Sequence, residues 1–575
     1  MKLLILYATT MGNSKGVAEA ISKSLDVYQF EDKRVMAVNQ YDKEKLIDEN
    51  IVIFVCSTIG KGNEPKMMTE FWHYLLREEL PGYILSTIHF TVFGCGDSRF
   101  KLFNYPSKRL YRRLLQLGAN PINDRGIGDA SNENGHYQTL YPWIDDLKKN
   151  LEEKGLVSGA TDGAGKSSDF SIEYLEEDAS MNIDSSVRNN NNKTGELFEV
   201  VKNDRVTPND YFRDTRLIHL KSTNSLSYNP GDIIDIIPVN LKSEINDAIV
   251  KLQWEEIANK PFIINSVNCD LPEEWKSTQT LRNLLENSLD IFGIPNLKMG
   301  RSLYSILENK LNDEDKAKLS DYESYIKNCI NEKKSVLDIL CEFPTKDLKI
   351  EEILEIIPTI TARSYSIASS RKVSGDNLIE LIIGINNYTT AKNETRYGIA
   401  TKWISTLKPS EKICGEVKEG VMKFDSFAEQ PAIMICTGTG IASIRSCLQE
   451  RISQGQKENY LFFGFRNTNN DDYFMDELKK YSDEGSVKLF LAASRDQPEK
   501  VYVQNKLEEN AKLVWELITK KNAHIIVSGN INTLPSSVKT ALRDIYIEEG
   551  GYTLDQATQS IQSLEDQEIY QEECY

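Results

Sequence analysis

Hydroxyl, amide and glycine residues follow a short apolar run in the stretch YATTMGNSKGVAEAI, which begins at Tyr7. The apolar run at residues 3–6 predicts a strand, and the pattern after the turn predicts a helix. Backbone N–H groups at a helix start attract anions, and this turn adds side chains that could hold a phosphate. The same residues are also compatible with an ordinary capped helix.

Two further glycine-containing loops follow apolar runs, CSTIGKGNEP at 56–65 and FGCGDSRFKLFNY at 93–105. If the runs are parallel strands, all three loops meet at the carboxyl edge of one sheet, where open α/β sheets bind ligands. Glycine lets the backbone approach a flat ring, and Phe100, Phe103 or Tyr105 could stack on that ring. Taken singly, each aromatic residue is better explained by core packing.

The C-terminal half contains four more motifs of this kind. RSYS at 363–366 places a guanidinium that could neutralise a diphosphate beside an aromatic ring and a hydroxyl. YGIAT at 397–401 and CTGTGIAS at 436–443 are glycine turns, and the second opens a helix as nucleotide-binding turns do, although a plain capped helix start has the same pattern. In SRDQPEKVYVQ, Ser494 and Arg495 could hold a ribose 2′-phosphate, which favours NADPH over NADH.

The elements that must position these motifs follow a clear order along the chain. Residues 1–150 alternate apolar strands with helical stretches, which predicts a parallel sheet covered by helices. Residues 151–195 are small, acidic and Asn-rich and predict a flexible linker, although DFSIEYL could dock on a neighbouring element. Residues 196–425 predict a β-barrel with a helical insertion at about 241–355, and strand–helix alternation returns at 426–575.

Composition excludes several classes of function. The chain has 575 residues, 40% of them hydrophobic and 27% charged, which is typical of a multidomain globular protein. A net charge of -18 argues against nucleic-acid binding. The first 150 residues contain 19 Lys and Arg against 18 Asp and Glu, so the acidity lies in the remainder. The nine cysteines form no CxxC pair, so neither a metal site nor a disulfide framework is predicted. The absence of a long apolar run and of a leader predicts a soluble cytoplasmic protein without membrane partners.

The three N-terminal loops together resemble those of the flavodoxins, which bind FMN. The resemblance implies phosphate contacts from the first loop, ring contacts from the other two and one further contact in GDA at 128–130. The implied FMN contacts are Thr9, Thr10, Met11, Gly12, Asn13, Ser14, Ser57, Thr58, Ile59, Gly60, Gly94, Cys95, Gly96, Asp97, Ser98, Phe103, Asn104 and Asp129. Met11 stands where that family usually has Thr or Ser, so one hydroxyl is missing from the phosphate loop.

The motifs of the C-terminal half resemble those of the ferredoxin–NADP reductases. The implied FAD contacts are Arg363, Ser364, Tyr365, Ser366, Gly398, Ile399, Ala400, Thr401 and Tyr575. The implied NADP contacts are Gly438, Thr439, Gly440, Ser494, Arg495, Lys500, Val501, Tyr502, Val503 and Gln504. The residues implied along the path of hydride transfer are Ser366, Ser528, Glu573 and Tyr575, the last as an aromatic lid over the flavin.

Four positions depart from the pattern of those relatives. Ala400 replaces a common cysteine, but the implied contact is made through the backbone. Ser443 replaces a proline, so the helix start is less rigidly set. Ser528 replaces a cysteine that assists hydride transfer, which implies a slower step. Tyr575 replaces a larger tryptophan, which implies looser discrimination between NADPH and NADH.

Over its whole length the chain resembles the diflavin reductase family, with a flavodoxin-like domain, a linker, an FAD-binding barrel with a helical insertion and an NADPH-binding domain. In this multidomain α/β family, NADPH gives a hydride to FAD, FAD passes single electrons to FMN, and FMN reduces a protein acceptor. The stretches at 93–119 and 494–507 are most similar to the branch that serves cytosolic iron–sulfur protein assembly. The acceptor implied by that branch is a small iron–sulfur protein of the anamorsin type.

Two other functions stay open at this point. The chain could be a diflavin reductase for a cytochrome or a sulfite reductase haemoprotein. It could also be a flavin-binding scaffold with weakened catalysis, for which Met11, Ser443 and Ser528 are the only support. The basic stretch at 99–113 could steer an acidic acceptor to the flavodoxin-like domain, or it could be a solvated helix face.

Overall fold

The computed structural model describes most of the chain, and within the described part the chain forms two compact units. The described residues are 1–10, 12–59, 62–132, 135–157, 170–175, 195–266, 271–295, 332–344, 347–390 and 393–575, with single positions between 303 and 315. As far as it is described, the first unit draws on residues 1–169, 294–331 and 345–356, and the second on the rest. The predicted FMN contacts Met11 and Gly60 lie outside the described residues.

The first unit contains a six-stranded parallel sheet in the order β2-β1-β3-β4-β5, with β6 paired to β4. Its strands are β1 (Lys2–Ala8), β2 (Asp32–Ala37), β3 (Ile51–Ser57), β4 (His89–Gly96), β5 (Asn120–Pro121) and β6 (Gly126–Asp129). The helices of residues 1–157 are α1 (Asn13–Ser24), α2 (Thr69–Leu75), α3 (Tyr105–Gln116) and α4 (Tyr137–Glu153). Successive β1 residues enter opposite cores, since Ile5 packs with Trp143 and Leu4 with Trp72. Burial on both faces explains the unbroken apolar runs of these strands.

The second unit begins with a six-stranded antiparallel sheet in the order β12-β10-β16-β8-β9-β13. The strands of this part of the chain are β7 (Phe170–Tyr174), β8 (Glu196–Arg205), β9 (Thr215–Ser222), β10 (Ile233–Ile236), β11 (Phe262–Ser266), β12 (Arg363–Ser366), β13 (Leu378–Gly384), β14 (Asn387–Thr389), β15 (Thr395–Tyr397) and β16 (Lys412–Lys418). The helices between residues 242 and 406 are α5 (Lys242–Lys251), α6 (Glu255–Ala258), α7 (Leu281–Asn287), α8 (Val336–Glu342), α9 (Ile350–Ile356), α10 (Arg371–Ser374) and α11 (Ile399–Thr406), of which α9 belongs to the first unit.

A five-stranded parallel sheet completes the second unit, in the order β19-β18-β17-β20-β21. Its strands are β17 (Ala432–Thr437), β18 (Asn459–Phe465), β19 (Lys488–Ala493), β20 (His524–Gly529) and β21 (Tyr570–Cys574). Its helices are α12 (Ile441–Ser453), α13 (Met475–Asp483), α14 (Val503–Glu509), α15 (Ala511–Lys521), α16 (Leu534–Gly550) and α17 (Leu554–Asp566). The strand order reverses between β17 and β20, so their carboxyl ends frame the crevice in which such sheets bind nucleotides.

This architecture confirms the predicted fold class of a flavodoxin-like domain, an antiparallel FAD-type sheet with a helical insertion and a doubly wound C-terminal domain. Within the stretch predicted as a linker, β7 pairs antiparallel with β11, so residues 170–174 of DFSIEYL dock on the helical insertion. Residues 158–169 and 176–194 of that stretch lie outside the described residues. No helix in the described ranges combines the length and the apolar character needed to cross a bilayer.

Polar side chains of α12 join the C-terminal domain to the antiparallel sheet. The Arg445 guanidinium donates from Nη1 to the Ala368 carbonyl oxygen and to Glu380 Oε2, both at 2.7 Å. Ser446 Oγ donates to the Ser369 carbonyl oxygen at 2.8 Å. All of these groups are at least mostly buried, so each loses hydration that only its partner replaces.

Arg451, also on α12, is fully buried and binds the segment that enters β17. Its Nη1 donates to the Phe427 carbonyl oxygen and its Nη2 to that of Gln430, both at 2.6 Å, while Nε donates to Asn459 Oδ1 at 2.6 Å. Burial lowers the pKa of Arg451 to about 10. The guanidinium therefore pairs with oxygens of two neighbouring segments, of which those of Phe427 and Asn459 are buried.

Arg451→Ala removes these donors and leaves buried oxygens unpaired, so we expect a loss of about 3–5 kcal/mol in the free energy of unfolding. Scanning calorimetry of the purified chain measures this as a lower melting temperature for the transition of the second unit. Lys457→Ala, at an exposed cation of the same domain, is the control and leaves that transition unchanged. Equal melting temperatures for Arg451→Ala and the wild type would show that the buried guanidinium adds nothing to stability.

Candidate functional site

The first loop of the flavodoxin-like domain turns directly from β1 into α1. Gly12 adopts a φ of 87°, a left-handed conformation that favours glycine, and its N–H donates to Thr9 Oγ1 at 2.9 Å. Ser14 Oγ shares a hydrogen bond with Ser57 Oγ at 2.6 Å. The predicted phosphate loop and the second loop are therefore joined at the strand ends, with the start of α1 between them.

The second and third loops are joined in the same way, since the Thr58 N–H donates to the Cys95 carbonyl oxygen at 2.8 Å. Asn104 is buried with a φ of 52°, and its Nδ2 donates to the Gly128 carbonyl oxygen at 2.9 Å. A Cβ at Gly94 would collide with the Asn104 side chain. The lack of a side chain at Gly94 therefore makes room for Asn104 and Ser107, and its contact with a flavin ring stays a prediction.

Asp129 closes the third loop by accepting hydrogen bonds from two loops. Its Oδ1 accepts from the Ser98 N–H at 2.9 Å and from the Ser131 N–H and hydroxyl at 2.9 and 2.8 Å. Burial alone would raise the pKa of Asp129, but these donors outweigh it and lower the pKa to about 2. The carboxylate is therefore ionised at all physiological pH values and fixes the loop backbone.

The residues at this edge fit an FMN group. Thr58 Oγ1 and Asn104 Oδ1 are buried and have no hydrogen-bond partner among the described residues. Phe100 is 52% exposed, so its ring is free to stack, whereas the Arg109 guanidinium lies over the Tyr105 ring and Phe103 packs against Gly96. A helix start, unsatisfied polar atoms and an exposed aromatic ring are what a flavin phosphate and ring require.

The RSYS motif forms β12, the edge strand of the antiparallel sheet. Tyr365 lies opposite Ile234 of β10, and burial raises its pKa to about 12, with Arg363 opposing that shift. Ser364 donates to Asp235, so this hydroxyl is held by the protein itself. Arg363 is exposed, with Nη1 bound to the Thr361 carbonyl oxygen at 2.8 Å.

Ser366 and Glu573 meet although 207 residues separate them in the chain. Ser366 Oγ donates to Glu573 Oε1 at 2.6 Å, and Oε2 is buried without a hydrogen-bond partner in the described part of the chain. Burial raises the pKa of Glu573, and the Ser366 hydroxyl only partly offsets this. Beside them, Ser443 Oγ donates to Ser528 Oγ at 3.1 Å. Ser443 and Ser528, two of the four departures from the pattern of the relatives, thus form one buried hydrogen-bonded pair.

The turn GIAT opens α11, and the Thr401 hydroxyl accepts from the Asn386 N–H at 3.1 Å. A cavity of about 300 Å³ adjoins this helix start and is lined by Tyr388, Tyr397, Ile399 and Trp403 among others. A helix start beside an aromatic-walled cavity fits a diphosphate with a planar base. Sequence reasoning missed Tyr388, because only the β14–β15 hairpin brings this ring to the cavity.

The glycine turn after β17 packs against the end of β20. Gly438 has a φ of 55°, and a Cβ at Gly440 would collide with the Ser528 carbonyl oxygen. Thr439 Oγ1 lies 3.1 Å from Tyr575 Oη. The turn thus brings the predicted diphosphate contacts to the residues predicted for hydride transfer.

A cationic cluster surrounds Tyr502 at the start of α14. A hydrogen bond from Arg495 lowers the pKa of the exposed Tyr502, and Lys500 and Arg466 act in the same direction. The Arg495 N–H is anchored to the Arg466 carbonyl oxygen at 2.8 Å. Three cations around one hydroxyl fit a 2′-phosphate.

Sequence reasoning missed Arg466, whose only signal was its position directly after the strand run NYLFFGF. Val501 and Val503 stay predicted contacts, and since their side chains pack into the domain core, only their backbone is left for a ligand. Within the described residues, His, Cys, Asp and Glu form no group of three or more that could hold a metal ion.

Three family models match the chain, flavodoxin over residues 5–143, an FAD binding domain over 189–403 and an oxidoreductase NAD-binding domain over 434–538. Curated relatives named NADPH-dependent diflavin oxidoreductase 1 match its whole length. Those of Xenopus laevis and Schizosaccharomyces pombe are 32% identical, and that of Mus musculus is 31% identical. Each alignment covers 100% of this chain and 99% of the relative. These matches support FMN, FAD and NADPH as the cofactors.

Asp129→Asn replaces charge-assisted hydrogen bonds in the FMN loop by weaker neutral ones, so we expect FMN to bind about tenfold more weakly. Fluorescence titration of the flavin-free protein with FMN measures this. The native pKa lies below the ordinary value of 3.8, so Asp129 stabilises the fold above about pH 4 and this contribution is lost as the pH falls toward about 2. Asp124→Asn, at an exposed carboxylate of the same unit, is the control. Equal affinities for Asp129→Asn and the wild type would contradict the role of Asp129.

Arg495→Met removes one cation from the cluster around Tyr502, so we expect 2′,5′-ADP to bind about thirtyfold more weakly. Calorimetric titration measures this, with 5′-AMP as the companion ligand, because it has no 2′-phosphate and its weaker binding stays unchanged. Lys479→Met, at an exposed cation of α13, is the matched control. A parallel loss for both nucleotides would mean that Arg495 does not read the 2′-phosphate.

Proposed function

This chain belongs to the family of NADPH-dependent diflavin oxidoreductases, and on that premise we propose that its electron acceptor is a small iron–sulfur protein of the anamorsin type. The proposal places the chain in cytosolic iron–sulfur protein assembly. Family membership supports an NADPH-dependent oxidoreductase with FMN and FAD. The identity of the acceptor and the cytoplasmic location belong to the proposal.

Two flavins suit this task because the donor and the acceptor differ in the number of electrons they exchange. When bound, the cofactors supply a hydride from NADPH to FAD and single electrons from FMN. The protein keeps the two chemistries apart by giving the FMN site to the flavodoxin-like domain and the FAD and NADPH sites to the second unit. A metal cluster, which accepts one electron at a time, then needs access only to the FMN site.

At the FAD site the Ser366–Glu573 pair is proposed to control a proton. The raised pKa of Glu573 keeps its carboxyl protonated at a higher pH than an ordinary glutamate. The hydrogen bond from Ser366 to Glu573 orients the Ser366 hydroxyl at the end of β12, beside the flavin ring that Tyr365 would contact. Ser443 donates a hydrogen bond to Ser528 within the same buried cluster, so a hydroxyl group occupies the position where relatives have a thiol.

At the NADPH site the protein supplies charge and a tight turn. Arg495, Lys500 and Arg466 would neutralise the 2′-phosphate, which NADH lacks. The Thr437–Gly440 turn offers its backbone N–H groups and the Thr439 hydroxyl to the diphosphate. Selectivity for NADPH therefore resides in the cationic cluster, and positioning of the nicotinamide end resides in the turn.

The acceptor proposal rests on which basic residues next to the third FMN loop are already paired within the protein and which are not. Arg99 pairs with Asp97, Arg109 lies over the Trp72 ring, and Arg113 donates to a backbone oxygen. The remaining cations of the stretch at 99–113 are exposed, and no ion pair holds them within the described part of the chain. These free cations are Lys101, Lys108 and Arg112.

Three unpaired cations beside a flavin site favour an acceptor with an acidic surface. Opposite charges on two proteins accelerate their encounter and orient it, and they act over about 8 Å at physiological salt. The rest of this acidic chain would repel such an acceptor, since the net charge is -18. Docking would therefore be confined to the face around Lys101, Lys108 and Arg112.

The triple variant Lys101→Glu, Lys108→Glu and Arg112→Glu tests the proposal. We expect it to reduce the iron–sulfur acceptor about tenfold more slowly at low salt, because the charge that steers encounter is reversed. Stopped-flow spectroscopy measures this rate. Reduction of menadione, a small uncharged acceptor that needs no docking surface, stays within about twofold of the wild-type rate.

The matched control is Lys45→Glu, Lys149→Glu and Lys154→Glu, which makes the same change in charge at exposed positions elsewhere in the same unit. It leaves both rates near those of the wild type. If the variant at 101, 108 and 112 reduced the iron–sulfur protein at the wild-type rate, these three cations would not form the docking face. A wild-type chain that reduces a cytochrome or a sulfite reductase haemoprotein but not the iron–sulfur protein would overturn the acceptor assignment.

A further inference from the structure

The loop between β8 and β9 carries an exposed aromatic ring that contacts the C-terminal domain. Phe212 is 62% exposed, and Arg466 Cζ lies 5.1 Å from the centroid of its ring. Arg213 Cζ, on the same loop as the ring, lies 5.4 Å from that centroid. A guanidinium over an aromatic face at such a distance is attracted to the ring. The loop of the antiparallel sheet and the cationic cluster around Tyr502 therefore meet at Phe212.

The backbone on both sides of Phe212 is held by hydrogen bonds within the loop. Arg205 Nη2 donates to the Tyr211 carbonyl oxygen at 2.8 Å, and the Thr207 hydroxyl donates to the Arg213 carbonyl oxygen at 2.8 Å. Arg205 is the last residue of β8, so these bonds anchor the loop to the sheet. The ring of Phe212 therefore extends from a fixed backbone position.

Arg466 is fixed through its backbone, whereas its side chain depends on the ring. Its N–H donates to Asp471 Oδ1 at 3.1 Å, and its carbonyl oxygen accepts from the Arg495 N–H at 2.8 Å. Among the residues that the structure describes, the Arg466 guanidinium has no carboxylate and no hydrogen-bond acceptor as a partner, and its contact is the Phe212 ring. A long arginine side chain without such a contact loses more rotamer freedom when it binds a ligand.

An aromatic ring suits a cation that must bind a phosphate. A carboxylate partner would neutralise the charge of Arg466 and occupy part of its fork of N–H donors. The face of a ring attracts the guanidinium and leaves both its charge and its N–H donors available to an anion. Phe212 thus restricts the Arg466 side chain without competing with a ligand, which lowers the entropy that phosphate binding must overcome.

We propose that Phe212 is a positioning residue that holds the Arg466 guanidinium in place for the 2′-phosphate of NADPH. The antiparallel sheet then contributes to the recognition of a group whose direct contacts all lie in the C-terminal domain. Since NADH has no 2′-phosphate, the contact between Phe212 and Arg466 strengthens the binding of NADPH alone. The inference rests on the proposed function, which assigns the 2′-phosphate to the cluster of Arg466, Arg495 and Lys500.

Calorimetric titration of the holoprotein with 2′,5′-ADP tests this role. Phe212→Leu keeps an apolar side chain and loses the ring, so we expect 2′,5′-ADP to bind about fivefold more weakly. The affinity for 5′-AMP, which has no 2′-phosphate, stays within about twofold. Phe212→Tyr keeps an aromatic face and retains the 2′,5′-ADP affinity of the wild type within about twofold. Asn209→Ala, at an exposed position of the same loop, is the control and changes neither affinity.

A double-mutant cycle with Arg466→Met shows whether the ring acts through Arg466. In the Arg466→Met background, Phe212→Leu gives no further loss of 2′,5′-ADP affinity. An unchanged affinity in Phe212→Leu overturns the inference, and so does an equal loss in both backgrounds, which would point to Arg213. A parallel loss for 5′-AMP also overturns it, because the ring would then act on the rest of the nucleotide. Failure of the wild-type protein to bind 2′,5′-ADP at all would instead contradict the proposed nucleotide site, and the inference with it.

Discussion

The second unit depends on charged and hydroxyl side chains that α12 carries into the antiparallel sheet. Arg445 bridges the Ala368 carbonyl oxygen and Glu380 on one side and Glu477 on the other, with its side chain almost completely buried. Removing one member of such a set leaves an unpaired charge in a poorly solvated place, which is far costlier than losing a surface ion pair. The two sheets are therefore held in one arrangement, and Ser366 on one sheet can meet Glu573 on the other.

A hydrogen bond between two serine hydroxyl groups occurs at the carboxyl edge of each parallel sheet. A helix start and the end of a neighbouring strand are joined by a hydrogen bond between two hydroxyl groups, Ser14 with Ser57 in the first unit and Ser443 with Ser528 in the second. Parallel strands end side by side, so their loops lie within reach of short side chains. Such bonds fix the loops before a ligand arrives, which lowers the entropy that binding must overcome.

Asp129 and Glu573 show how the surroundings of a carboxyl group set its pKa and thereby its role. Asp129 accepts hydrogen bonds from Ser98 and Ser131, and these lower its pKa to about 2 against the effect of burial. Glu573 is buried more deeply, so burial outweighs the serine hydroxyl groups beside it and its pKa is raised. The first group is a permanent anion that organises a loop. The second can retain a proton beside the path proposed for hydride transfer.

The order of the domains and the positions of the glycine and hydroxyl loops were readable from the sequence, because a strand, a turn and a helix start are local patterns. The flavodoxin-like loops, GIAT and the turn at 438–440 lie near the ends of elements, and RSYS forms a strand, as local reasoning expected. The pairing of Ser366 with Glu573, the place of Arg466 in the cationic cluster and the cavity wall of Tyr388 were not readable. The division of the basic stretch at 99–113 into paired and free cations was equally hidden.

These features come from contacts between residues far apart in the chain, and no local pattern encodes them. Gly94 shows the difference most clearly. The sequence predicted a loop glycine after a strand, whereas the structure places Gly94 within β4, with Asn104 and Ser107 in the space that a Cβ would need. The sequence by itself determined which chemical groups stand at the strand ends. The tertiary structure decided which of them meet, since burial and hydrogen bonding act only between groups that folding has brought together.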